Sequence, residues 1–589
     1  MAVAEAHKSG SALRFAPLRS ADLSSLLREL RQRIGVSLVQ RDGGAVVAPT
    51  RNLTWLLEEG VAESLGVEFD AAALRALEVR RRASANHITY REYVMQLRDG
   101  GVEVARAELL ASPTTQDISR LDDHQIVNVA AMTAPEGYGM LLLDEQGAGK
   151  TVSVIYAFDR LAGMNLIDTM IVVAPKSMVG EWASAMASFM GDRYRVAIVE
   201  GTAGQRDKAI NSGADVIVMN YEAIPSVSTS LTRRLRRYPD RALLVVDESF
   251  TVKNPRAQRT KSLESIRDWF ARVWLLCGTP APNTAQDIVA QVDMVDFGET
   301  FADVRIPDDR TLAVPTVRQA LDERAIYLRN LKADVMPDLP EKAFSHVTVP
   351  LAPIQEKLYQ AALGALIADV EAIDQEDFLK NLASFLSRRM ALLRIASNPA
   401  GVFDNYAEVP GKIIALDDIT ERLVVEADEK VVIWSCFTAS IDAIVARYSH
   451  LGLVRYDGTI TGIAERREAV RRFQEDEDVR VFVANPAAAG AGLTLHAARY
   501  AVYESFTNQA AHYLQSLDRI HRRGQTRSVE YLVLLAEGSI EPREFDGLVA
   551  KERSARDLLG DVVAPTVTRD RFLAELRGLP ISDETAVIS

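Results

Sequence analysis

Apolar positions change their period twice along this chain. Over residues 22–34 (DLSSLLRELRQRI) and 71–82 (AAALRALEVRRR) they recur every three or four residues. That spacing places them on one face of a helix, so the first hundred-odd residues read as helical. From about residue 120, short apolar and β-branched runs alternate with helical stretches: MLLLDE (140–145), MIVVAPK (170–176), DVIVMN (215–220), ALLVVDE (242–248) and RVWLLCGTP (272–280). Runs without polar alternation suit strands covered on both faces, and their alternation with helices predicts a doubly wound parallel sheet. Residues 301–425 return to helical spacing. KVVIWS (430–435), LVRYDG (453–458), VRVFVAN (479–485), YAVYES (500–505) and VEYLVL (528–533) then predict a second α/β lobe. With no short-period repeat and no long Gly/Ser/Pro linker, packed helices are expected to join the lobes.

The predicted organisation is a helical N-terminal accessory domain at 1–115, a first lobe at 116–300, helical insertions at 301–425, a second lobe at 426–560 and a tail at 561–589. At roughly 100–200 residues per domain, 589 residues accommodate this plan. Hydrophobic residues at 48% and charged residues at 25% exclude a wholly disordered or collagen-like chain. The two cysteines, Cys277 and Cys436, are too few for a disulfide framework and fit a reducing cytoplasm. Neither a secretion signal nor a spanning helix is expected. The net charge of −13 gives no prior for a nucleic-acid partner, because phosphate binding rests on local Lys and Arg patches. Residues 1–115 carry 15 basic and 14 acidic side chains, the basic ones nearly all Arg. Arginine forks onto phosphate and stacks on bases, although a solvated helix face uses the same residues.

Three segments carry chemistry. In LLLDEQGAGKTVSVIYAF (141–158) a strand runs into a Gly-rich turn and then a helix. Gly147 and Gly149 let backbone N–H groups close around phosphates, Lys150 can reach the β/γ oxygens and Thr151 can hold Mg²⁺. Asp144 stands where the strict phosphate-loop pattern asks for Gly, which leaves a structural turn open as the alternative. ALLVVDESF (242–250) delivers Asp247 and Glu248 at a strand's carboxyl end, the first suited to Mg²⁺ and the second to orienting and deprotonating the attacking water. QSLDRIHRRGQ (515–525) places Arg519 and Arg522 three apart on an expected helix, where an arginine could stabilise a transferring phosphoryl group; a basic surface helix is the alternative.

Taken in order, these segments resemble the Swi/Snf (Snf-like) family of superfamily 2 helicase-like ATPases over roughly residues 120–550. HQIVNVAAM (124–132) is similar to the family's glutamine motif, which implies an adenine contact for Gln125. DEQGAGKT (144–151) resembles the family's DEMGLGKT, in which Asp stands at the position of Asp144 and Met and Leu at those of Gln146 and Ala148. VVAPKSMVGEW (172–182), KNPRAQRTKSL (253–263) and LCGTPAPN (276–283) resemble its nucleic-acid and coupling segments, which implies Lys176, Trp182, Lys253, Arg256 and Thr279 along a nucleic-acid path. YLRNLKADVMPDLPEKAFSHVTVPLAPIQEKLYQ (327–360) resembles a stretch that ordinary helicases lack, NPAAAGAGLTLHAA (485–498) resembles motif V with Gly492 at the nucleotide, and QSLDRIHRRGQ resembles motif VI, with Arg519 and Arg522 as arginine fingers. Phe250 stands where many relatives carry His.

The resemblance implies two RecA-like lobes, ATP and Mg²⁺ as nucleotide and metal, and an ATP-dependent motor on double-stranded DNA that binds without regard to sequence. A protein partner is expected through residues 1–115, with 55 Arg against 13 Lys hinting at a GC-rich prokaryotic or phage genome and a DNA-processing or defence system. A strand-separating or RNA-directed helicase is the alternative, and an ATP-gated adaptor without hydrolysis the third reading.

Overall fold

The structure is a computed structural model that describes residues 3–9, 12–18, 21–111, 117–278, 285–307, 309–460, 462–488, 493–506, 510–555 and 568–579. The chain divides into two compact units, Met1–Val335 and Met336–Ser589.

The first unit opens with a small mixed sheet of β1 (Ala4–Ser9), β2 (Ala12–Pro17), β3 (Gln40–Asp42), β4 (Ala45–Pro49) and β5 (Val67–Phe69), ordered β3-β4-β2-β1-β5. Helices do form where the apolar spacing predicts them, at Ser24–Ile34 and Ala71–Arg98. The expectation of a helical accessory domain over 1–115 is therefore corrected to a mixed α/β module. Its strands are short and built from small or polar residues: Ala4 and Ala6 of β1 alternate inward and pack with Leu13 and Phe15 of β2, all four fully buried. A period-2 pattern this short and this poor in large apolar residues carries little strand signal.

The larger sheet comprises β6 (Gly139–Leu142), β7 (Thr169–Ala174), β8 (Val196–Val199), β9 (Val216–Asn220), β10 (Ala242–Asp247), β11 (Arg272–Leu276) and β12 (Tyr327–Leu328), ordered β12-β6-β11-β10-β7-β9-β8 with every neighbouring pair parallel. Strands β6, β10 and β11 are buried at every residue, as helices on both faces of a parallel sheet require. Because β12 pairs with β6, the chain belongs to this unit through Val335 and not only to residue 300.

In the second unit, β13 (Lys342–Val349), β14 (Val431–Trp434), β15 (Leu453–Tyr456), β16 (Val481–Ala484), β17 (Tyr500–Tyr503) and β18 (Val529–Ala536) form a wholly parallel sheet ordered β13-β18-β17-β14-β16-β15. Helices Pro353–Glu371 and Leu382–Ser397 pack with Arg569–Arg577 in a separate apolar cluster around Tyr359, Phe385 and Phe572. A buried ion pair between Lys412 and Glu541, 2.7 Å apart, joins the helix Gly411–Thr420 to the segment after β18, and Lys412 also donates to the Glu504 carbonyl. The helical insertion expected over 301–425 thus gives one strand to each large sheet: β12 to the first and β13 to the second.

Buried charges fasten the N-terminal module to the large sheet of the same unit. Lys8 Nζ lies 2.5 Å from Asp268 Oδ2, and Arg80 contacts the same carboxylate at 3.4 Å. Arg75 grips Asp240 with two hydrogen bonds and Arg82 adds a third. Burial pushes the Asp268 carboxyl up, but Lys8, Arg80 and Arg267 outweigh it and hold the group at about 2. An acid held below its unfolded value stabilises the fold above that unfolded value and loses the effect as pH falls through the folded one. Asp268→Ala should lower unfolding stability at pH 7 by about 3 kcal/mol, since it strands buried cations. Urea titration checks this, and the deficit should shrink as pH falls from about 4 towards 2.

Candidate nucleotide site in the first unit

The phosphate loop follows β6 and ends at the helix Lys150–Gly163. Gly147 and Gly149 hold φ of +85° and +88°, a left-handed backbone that glycine adopts without strain. A Cβ at Gly149 would lie 2.1 Å from Gln125 Nε2, so the loop closes tightly over the helix Asp123–Thr133. Lys150 and Thr151 occupy the first turn of the following helix, where unpaired backbone N–H groups favour anions. Lys150 Nζ donates to the carbonyls of Asp144 at 2.8 Å and Glu145 at 3.3 Å, which holds its ammonium inside the loop.

The aspartate that breaks the strict pattern has a structural task. Asp144 is fully buried; its Oδ2 accepts from Asn128 Nδ2 at 2.7 Å, and its Oδ1 accepts from the Asn330 backbone at 2.9 Å and side chain at 2.7 Å. Burial pushes its carboxyl up, opposed by Lys150 and by the amides of Asn330 and Asn128. His124 bonds the Ala148 carbonyl at 2.7 Å. Gln125 takes the Asp122 N–H on Oε1 and turns Nε2 towards the Gly149 carbonyl at 3.5 Å. It is only 1% exposed, and in this geometry its side chain supports the loop.

Asp247 ends β10, one strand removed from β6 in the sheet, and Glu248 follows it. Asp247 Oδ1 accepts its neighbour's backbone N–H at 2.9 Å, and Oδ2 accepts the Trp182 indole N–H at 2.8 Å. Burial and the Glu248 charge push the Asp247 carboxyl up to about 7 against Trp182, Lys150 and the Glu248 N–H. Glu248 has φ of +51°, a strained conformation for a side-chain-bearing residue. Tyr221 stabilises this corner by donating its hydroxyl hydrogen to the Asp247 carbonyl at 2.5 Å. Glu248 Oε1 accepts from Gln146 Nε2 at 2.9 Å, while Oε2 is buried without a protein partner.

These residues fit a nucleotide and its metal. The loop offers backbone N–H groups and a held ammonium, the strand end offers two buried carboxylates, and one carboxylate oxygen is left over. Asp247 and Thr151 could hold Mg²⁺.

The expected nucleic-acid residues separate. Lys176 is exposed just beyond β7 and Arg256 is exposed after the Asp-Glu turn, while Lys253 is half-buried and pairs with Asp287 at 3.1 Å. Trp182 is fully buried in the core and bonded to Asp247, which corrects its placement on a nucleic-acid path. Its apolar ring pays for burial only because the indole N–H finds a carboxylate. Thr279 lies outside the described residues.

In the second unit, Arg519 and Arg522 lie in turns after the helix Ala510–Leu517, which corrects the expectation that both sit on a helix. Arg519 Nη1 and Arg522 Nη1 both reach the Leu493 carbonyl, at 3.3 and 2.8 Å. Arg519 is 2% exposed and also donates Nε to the Gln515 carbonyl at 2.7 Å. Gln525 closes the turn by donating to the Ala498 carbonyl at 2.9 Å, so the arginine segment is knitted to residues 493–498. Gly492 lies outside the described residues.

Sequence reasoning did not assign His124, Asn128, Asn330 or the Trp182–Asp247 bond. His124 and Asn128, four apart on one helix, carry a readable spacing. Asn330 carries none, since only the β12–β6 pairing brings it to Asp144.

Residues 122–400 match the SNF2-related domain and residues 411–524 match the Helicase conserved C-terminal domain. The chain belongs to the Snf2 family of superfamily 2 helicase-like ATPases. It is 26% identical over 521 residues to the ISWI chromatin-remodeling complex ATPase CHR11 of Arabidopsis thaliana, covering 82% of this chain and 47% of that protein. It is 24% identical over 423 residues to an uncharacterized ATP-dependent helicase of Mycoplasma pneumoniae, covering 69% and 39% respectively. The chain thus spans less than half the length of these relatives. The solved Sulfolobus solfataricus SWI2/SNF2 ATPase core in complex with dsDNA matches at 22% identity over 80% of this chain and all of that one, with a TM-score of 0.35. Among the described residues no helix is long and apolar enough to cross a membrane.

The raised Asp247 carboxyl has a stability consequence. An acid whose folded value stands above its unfolded one costs stability as pH rises between the two, whereas Asn carries no charge. In the metal-free protein, Asp247→Asn should raise the thermal midpoint most at pH 8 and progressively less as pH falls through 5 towards the unfolded value, as differential scanning calorimetry would show.

Proposed function

We propose that this chain hydrolyses ATP to drive movement along double-stranded DNA without fully separating the strands. The observation that carries the reading is the convergence of Lys150, Asp247 and Glu248 in one unit, together with an ordered arginine segment in the other. Lys150 binds the β/γ-phosphate oxygens, and Thr151 and Asp247 hold Mg²⁺. When bound, the ion neutralises charge that develops on the phosphates. Glu248 Oε2 takes a proton from the attacking water as the water oxygen bonds to the γ-phosphorus and the bond to the ADP oxygen breaks. Arg519 and Arg522 supply positive charge to the transferring phosphoryl group. Gln125 contacts the adenine of the nucleotide and also supports the loop.

Exposed Lys176 and Arg256 offer charge to a phosphate backbone, which supports DNA binding that ignores sequence and weakens with salt. Residues 1–115 take a protein partner: ion pairs tie this region to the rest of the first unit, and exposed Val36 and Ile88 give it apolar surface.

ATP turnover measured with duplex DNA, single-stranded DNA and RNA tests the reading. Duplex DNA should stimulate most, and Lys150→Ala and Glu248→Gln should each reduce turnover by about a hundredfold or more. Stimulation by RNA alone would overturn the duplex assignment.

A further inference from the structure

The family sequence that the phosphate loop resembles has methionine where this chain has Gln146, and the exchange adds hydrogen-bonding groups at the centre of the site. Gln146 Nε2 donates to Glu248 Oε1 at 2.9 Å across 102 residues of sequence. Its other amide atom faces the strand end on the opposite side. A Cβ at Gly278 would lie 2.9 Å from Gln146 Oε1 and 3.1 Å from the Gln146 backbone nitrogen, so the chain just after β11 passes directly against this residue. Gln146 is thus wedged between the carboxylate at the end of β10 and the backbone after β11, and it is itself part of the loop after β6. A thioether at 146 could fill the same space but could not donate a hydrogen bond.

We infer that Gln146 is a positioning residue for hydrolysis: its amide fixes the rotamer of Glu248 by occupying Oε1, so that Oε2 is the oxygen that receives the water proton. Three observations converge on this. Glu248 sits on a strained backbone that does not by itself dictate where the carboxylate points. One carboxylate oxygen is satisfied by Gln146 and the other, although buried, has no protein partner. The donor rides on the phosphate loop, so the carboxylate is registered to the element that grips the nucleotide and, through Gly278, to the strand between β6 and β10. Holding a base within a few tenths of an ångström of its working position is what such a contact contributes to a rate.

The inference rests on Glu248 as the base, and the experiment separates the two. Gln146→Met and Gln146→Ala are made in the full chain, alone and in a Glu248→Gln background. ATP turnover, KM and the affinity for a fluorescent ADP analogue without turnover are measured for each. Gln146→Met should lower kcat about tenfold, with KM and analogue affinity changed by less than about twofold, because the lost hydrogen bond to a charged group acts on the base and not on nucleotide binding. Gln146→Ala, which relieves the packing beside Gly278, should show the same split. In the Glu248→Gln background neither exchange should lower the residual rate further, since residues that act as a unit are not additive. An unchanged kcat in both single variants, or an equal fold loss in both backgrounds, would overturn the positioning role. Wild-type turnover in Glu248→Gln alone would instead remove the base assignment on which it depends.

Discussion

The Asp144 carboxylate, fully buried behind the phosphate loop, receives Asn128 from one helix and the backbone and side-chain amides of Asn330 from the chain after β12. Its own carbonyl holds the Lys150 ammonium. The helix Asp123–Thr133, the phosphate loop and the chain after β12 therefore meet at one residue. A glycine there would satisfy the general phosphate-loop pattern but would take the carboxylate acceptor from the Asn330 amides and leave buried Asn128 Nδ2 with only Ser153 Oγ, at 3.3 Å. The departure from the general pattern is the anchor of this version of the loop.

The same unit holds its two candidate carboxylates in states that cost energy. Asp247 is buried until its carboxyl titrates near neutrality, and Glu248 sits in a left-handed backbone conformation. Trp182, Tyr221 and Gln146 are the neighbours that make these states persist, one for each constraint: the acid's orientation, the corner's backbone and the second acid's rotamer. A desolvated carboxylate beside a strained one at the carboxyl end of a central strand is expected where charge is to be handled, because relief of the strain would mean loss of the geometry.

Most of the two large sheets was legible before any coordinates. Each of the ten apolar runs lies on a strand, and most are apolar throughout because their strands are buried on both faces; the edge strand β15 is the half-exposed one. The edge strand β8, VAIV at 196–199, is short and partly exposed, and it left no comparable signal. The N-terminal sheet was missed for a related reason: it is held by small side chains such as Ala4 and Ala6, whose burial needs close packing and little hydrophobic mass. Within the site, Lys150, Asp247 and Glu248 announced themselves by spacing, whereas Trp182 was assigned to the wrong environment. Its placement on a nucleic-acid path rests on the family resemblance of VVAPKSMVGEW, and local pattern does not show the distant carboxylate that accepts its N–H. Asn330 and the Gln146–Glu248 contact depend on strand order, which local pattern does not specify.

The arginine segment of the second unit follows the same logic as the loop of the first, with charged side chains held by backbone carbonyls before any ligand is engaged. The proposed function ties hydrolysis to movement on duplex DNA. Displacement of a third strand from a DNA triplex, followed with time in the presence of ATP, tests that claim most directly. The account predicts ATP-dependent release of the third strand while the underlying duplex stays paired. Robust ATP hydrolysis with the third strand left in place, or separation of the duplex itself, would contradict it.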